Sequence, residues 1–93
     1  MITTRKTPEG YIWAYAIYYV VNKDGTGNLN GKYCFVDDCW LHPKHRSKEA
    51  LSKIVQEEHI LHPSVETIYY MQRKHKKRWK LHNIRRFYNG RNP

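Results

Sequence analysis

Ninety-three residues and 11.3 kDa allow one small domain and exclude two. Apolar residues make up 40% of the chain and charged ones 27%, and the mean hydropathy is -0.88, so the core has to be thin. The aromatic share of 14% excludes a disordered composition. The formal net charge is +9, and its placement is uneven. Eight cations and eight anions cancel over residues 1–70, while residues 71–93 hold nine cations and no carboxylate side chain. The longest uncharged stretch, 11–21, is too short to span a bilayer, and the first residues carry no apolar run of the secretory kind. Two cysteines exclude a disulfide-stapled mini-protein and make a reducing cytoplasm the expected location.

Residues 1–10 read as a lead-in that ends in Pro8 and Gly10. Residues 11–21, rich in Tyr, Ile, Val and Trp, predict a central strand covered on both faces, with Ala14 and Ala16 leaving room for a helix. The Gly- and Asn-rich segment 22–32 predicts a loop, and 33–41 a second, antiparallel strand closed by His42-Pro43. Ser47 is a suitable N-cap for a helix whose stripe is Ala50, Leu51, Ile54, Val55 and Leu61. Glu58 falls inside that stripe and breaks it, and Pro63 ends the helix. Residues 66–73 predict a third strand, parallel to the second because a helical crossover precedes it.

The last segment carries the charge. Residues 74–88 read as a second helix that stops at Asn89-Gly90. Here Arg73, Lys74, Lys76, Lys77, Arg78, Lys80, Arg85 and Arg86 alternate with Trp79, Leu81, Ile84, Phe87 and Tyr88. A detached basic tail has no use for those apolar side chains, so the segment is expected to dock on the domain and present a cationic face. Nucleic acid or an acidic protein surface is the partner such a face attracts. The expected architecture is α/β (α+β) in the order β-β-α-β-α: lead-in 1–10, β-β-α-β core 11–73, and basic helix or tail 74–93.

The run from Asp37 to Leu51 leads a strand through His42-Pro43 and Arg46 straight into an amphipathic helix. It resembles the strand-loop-helix centre of GNAT-type N-acyltransferases, over roughly residues 11–88 and without that family's first strand and first two helices. The resemblance implies acetyl-CoA as cofactor, held at a helix start by Leu41, His42, Arg46, Ser47 and Lys48. It also implies Asp37 or Asp38 as the base that deprotonates an amine, and Tyr88 as the acid that protonates the departing thiolate, with His82 near that tyrosine's usual place. Glu49 and Leu51 stand where the family has glycine, which puts a carboxylate and a Cβ where phosphates would approach. The leading expectation is therefore a non-enzymatic GNAT-like binding protein without a cofactor, of a size that suits a phage or mobile-element product. A minimal acetyltransferase and an unrelated single-stranded nucleic-acid binder are the alternatives.

Other constellations have plainer readings. Cys39, His42, His45, His59 and His62 have short spacings, but nothing in the sequence makes them converge, so no metal site is expected. Cys34 and Cys39, five apart, should face opposite sides of one strand as free thiols. Tyr11, Tyr15, Tyr18, Tyr19, Tyr69 and Tyr70 offer a stacking surface for bases, or simply sheet packing. A three-strand sheet leaves an edge and a face uncovered, to be closed either by the C-terminal helix or by a second copy in a homodimer.

Overall fold

The computed structural model describes residues 1–72 and 78–88. It is a mixed α+β fold: a five-stranded sheet in the spatial order β1-β2-β3-β4-β5 with one α-helix on one face. The strands are β1 (Ile2–Lys6), β2 (Ile12–Val21), β3 (Tyr33–Leu41), β4 (Thr67–Gln72) and β5 (Arg78–Asn83), and α1 is Lys48–Leu61. All neighbours are antiparallel except β3 and β4, which run parallel because α1 carries the chain back between them. Ser47 caps α1 as its sequence position implies, its side chain accepting from the Ala50 N–H at 3.0 Å.

Both ends of the chain depart from expectation. The segment read as a lead-in is strand β1, and Pro8 and Gly10 belong to the β1–β2 hairpin turn, where Gly10 takes a φ of +97°. The expected helix over 74–88 is strand β5 over 78–83, followed by a single 3-10 turn at Ile84–Phe87; residues 74–77 lie outside the described ones. The order is therefore β-β-β-α-β-β. The physical reason for β5 is in its sequence, since Arg78, Lys80 and His82 alternate with Trp79 and Leu81 at period two.

Register sets which face the sheet's described side chains take. Ala14, Ala16, Tyr18 and Val20 of β2 share the face under α1 with Cys34 and Val36 of β3 and Ile68 of β4. A bulge interrupts β3: Ile17 pairs with Asp38 and Tyr18 with Val36, so Asp37 is an extra residue. That residue shifts the alternation by one, so Cys39 and Leu41 return to the same face as Cys34 and Val36. The two cysteines thus share a face, contrary to simple strand parity. Both thiols are free; burial pushes Cys34 up to about 12. Strand β2 is covered by α1 on one face only, and on the other Tyr19 is 47% exposed.

The buried core lies toward the C-terminal end of α1: Tyr18, Val20, Cys34, Val65 and Ile68, closed by Ile84 and Phe87 of the 3-10 turn. Helix α1 has no fully buried residue, and Leu51 and Leu61 of its stripe are exposed. Its tertiary hydrogen bonds among the described residues come from Gln56, Glu57, Glu58 and His59, all in its C-terminal half. A cleft of about 730 Å³ runs between the helix and the sheet.

Candidate functional site

Glu58, the flaw in the helical stripe, is the centre of a polar clamp. It accepts from Tyr18 Oη at 2.7 Å, from Thr3 Oγ1 at 3.0 Å and from Arg5 Nη2 at 3.0 Å, and Arg5 also reaches Glu57. Burial alone would raise the Glu58 carboxyl, but the hydrogen bonds from Tyr18, Arg5 and Thr3 together outweigh it and hold the group below its usual range. Burial and then the Glu58 carboxylate push the Tyr18 phenol well above its ordinary value. The clamp ties α1 to β1 and β2. It explains how a strand as polar as β1 belongs to the fold: its inward side chains, Thr3 and Arg5, meet carboxylates rather than apolar groups.

On the opposite edge, β5 and the turn after it carry the cations. Lys80, Arg85 and Arg86 are exposed, and the ion pairs among the described residues, Arg5 with Glu57 and Glu58 and Lys32 with Glu66, use none of them. Arg86 Nη1 lies 2.9 Å from His82 Nδ1, and His82 Nε2 lies 3.2 Å from Tyr70 Oη. A guanidinium can only donate, so Nδ1 accepts and the ring proton sits on Nε2, facing Tyr70. Desolvation, then the charges of Arg86 and Lys80, hold His82 below its ordinary pKa, which fits this neutral ring. Arg78 stands on β5 in register with Gln72; Arg73, Lys74, Lys76 and Lys77 lie outside the described residues.

The face of the sheet opposite α1 is aromatic. Tyr19 pairs with Phe35, Phe35 with Tyr69, and Tyr69 with Leu81, so one row crosses four strands and ends at β5. Tyr19 and Phe35 stack with centroids 6.3 Å apart, Phe35 and Tyr69 at 5.3 Å, and Leu81 is 62% exposed. Tyr15 stacks on Trp40 at 6.1 Å on the same face. Of the tyrosines offered as a stacking surface, Tyr15, Tyr19 and Tyr69 are on this face; Tyr18 and Tyr70 are on the helix side, and Tyr11 sits at the β1–β2 turn. Phe35, near the middle of the row, is the residue that a count of tyrosines leaves out.

The residues of the acyl-transfer reading are spread apart. Asp37 is the exposed bulge residue, and Asp38 accepts from Tyr15 Oη at 3.0 Å on the face opposite α1. Tyr88 sits on the helix side, its hydroxyl 2.6 Å from His59 Nδ1. Asp38 and Tyr88 therefore lie on opposite sides of the sheet, whereas a base and an acid for one transfer have to reach one substrate. In the expected phosphate loop, Arg46 Nε donates to the Leu41 carbonyl at 2.9 Å, the His42 ring accepts from the Lys44 N–H, and Ser47 is spent on its cap. Glu49 adds a carboxylate to the first turn, beside Lys48. Leu41 and Lys48 line the helix–sheet cleft. Among the described residues no three His, Cys, Asp or Glu side chains come together as a metal site, and no helix is long and apolar enough to cross a membrane. Comparison with protein-family models, curated proteins and solved structures finds no match to this chain.

Proposed function

We propose that this chain is a non-enzymatic binding protein that engages single-stranded nucleic acid around the β5 edge of its sheet, with Lys80, Arg85 and Arg86 on the phosphates at that edge and the aromatic row of the face opposite α1 stacking on the bases. The observation that carries the reading is the exposure of Lys80, Arg85 and Arg86 without a carboxylate partner among the described residues, on the edge strand and its following turn, with Leu81 of the same strand ending the row on the other face. Unpaired exposed cations attract a polyanion at long range, and stacked rings hold bases of any sequence. An acidic protein face would engage the cations alone, whereas nucleic acid uses ring faces as well as charge.

The GNAT-like reading of the architecture is supported by the parallel β3–β4 pair with α1 as its crossover and by the bulge after Val36, where the paired register of these two strands ends. Binding without acyl transfer is supported by the internal use of Arg46 and Ser47 and by the separation of Asp38 from Tyr88.

Fluorescence anisotropy with a labelled single-stranded oligonucleotide of mixed sequence tests the proposal. Saturable binding is expected, with log affinity falling against log salt by about 0.7 for each phosphate neutralised. Binding absent at low salt, or insensitive to salt, would overturn it.

A further inference from the structure

The cleft under α1 is a feature that nucleic-acid binding leaves unexplained. Its volume of about 730 Å³ falls within the roughly 300–1,000 Å³ of small-molecule sites. It is lined from Lys48 at the start of the helix to His62 at its end, so it is a trough of roughly 20 Å rather than a round chamber. Its walls are largely aliphatic, with Ala14, Val36, Leu41, Ile54, Val55 and Ile68 among them. An apolar trough left to water is costly, and the N-terminal half of α1 has no tertiary hydrogen bond among the described residues to hold it over that space.

The charges on the wall narrow the class of occupant. Of the four charged side chains that line it, Arg5 and Glu58 neutralise each other, while Lys48 and Arg86 form no ion pair among the described residues. Arg86 is held in place by its contact to His82 Nδ1, and His82 and Tyr70 also line the trough. The site is thus an aliphatic channel with a positioned guanidinium at its rim that has no carboxylate partner among the described residues, complementary to a chain that ends in an anion.

We infer that the cleft between α1 and the sheet binds an aliphatic carboxylate, with the alkyl chain against Leu51, Ile54 and Val55 and the carboxylate on Arg86. The trough lies on the face opposite the aromatic row, and Arg86 at its rim is shared with the nucleic-acid reading, so the titration is made without nucleic acid and the dodecanol control and trough-filling variants separate the two.

Calorimetric titration of the full chain with dodecanoate, below its micellar concentration and without nucleic acid, tests it, with dodecanol as the uncharged control. Dodecanoate is expected to bind saturably at one site and to raise the melting temperature, and dodecanol to bind at least ten-fold more weakly. Arg86→Met should bring dodecanoate down to the level of dodecanol. Val55→Trp, or Ile54→Phe should the first variant not fold, should fill the trough and weaken both ligands at least ten-fold while the circular dichroism spectrum is retained. Absence of saturable dodecanoate binding to the wild-type chain would overturn the inference. So would equal affinity for the two probes, or undiminished binding in the folded trough-filling variant.

Discussion

Replacing Glu58 by Ala lowers the unfolding free energy by about 2–3 kcal/mol, measured by urea denaturation. The substitution removes the acceptor of three hydrogen bonds, two of them from Tyr18, which is 6% exposed, and from Arg5. A donor left without its partner in a buried setting loses about 1–3 kcal/mol. For a chain of this size each kcal/mol moves the melting temperature by roughly 4–8 °C. The loss is local in origin: amide exchange should accelerate first in β1, because Thr3 and Arg5 are its links to the helix. The pH dependence follows from the depressed carboxyl. The folded state binds this proton less readily than the unfolded chain, so the contribution is fully present above the ordinary glutamate value of 4.5 and disappears as pH falls through the lower folded value. Glu58→Gln should flatten the stability profile in that acid window. A Glu58→Ala variant as stable as wild type would show that the clamp does not hold α1 down.

Reversing Arg85 and Arg86 to Glu is expected to weaken single-stranded oligonucleotide binding by roughly a hundred-fold at low salt and to reduce the salt slope by about two phosphate contacts. Arg85 and Arg86 are exposed and have no partner of opposite charge among the described residues, and Arg86 Nη1 lies 2.9 Å from His82 Nδ1. The fold itself should persist, because the turn they belong to is anchored by buried Ile84 and Phe87 and by Gln56 donating to the Phe87 carbonyl. Lost affinity with an unchanged melting temperature is the predicted pattern. Unfolding of the double variant would instead make these cations structural.

Where apolar periodicity and local capping decide the structure, the sequence was readable. Strand β3 has the predicted bounds, α1 starts at the Ser47 cap and stops before Pro63, and β4 runs parallel to β3 because the helix between them leaves little alternative. The misses share a cause: polar residues whose partners are distant in sequence. Strand β1 buries Thr3 and Arg5 against carboxylates more than fifty residues away, so no apolar pattern announces it. Glu58 reads as a defect until Tyr18 and Arg5 are seen beside it. Strand β5 does announce itself through the alternation of Arg78 to His82, but density of positive charge makes the segment look like a solvated helix. The bulge at Asp37 left no readable mark, since two adjacent aspartates invite a catalytic reading, and it moved Cys39 and Leu41 to the other face. The helix–sheet cleft was invisible because it depends on how far a helix stands from its sheet.

The most direct measurement of the central claim is chemical-shift mapping of the isotopically labelled chain titrated with a single-stranded oligonucleotide. Perturbations are predicted along β5, at Arg85 and Arg86, and on the rings of Tyr19, Phe35 and Tyr69. Shifts confined to residues 42–51, or none at saturating oligonucleotide, would contradict it.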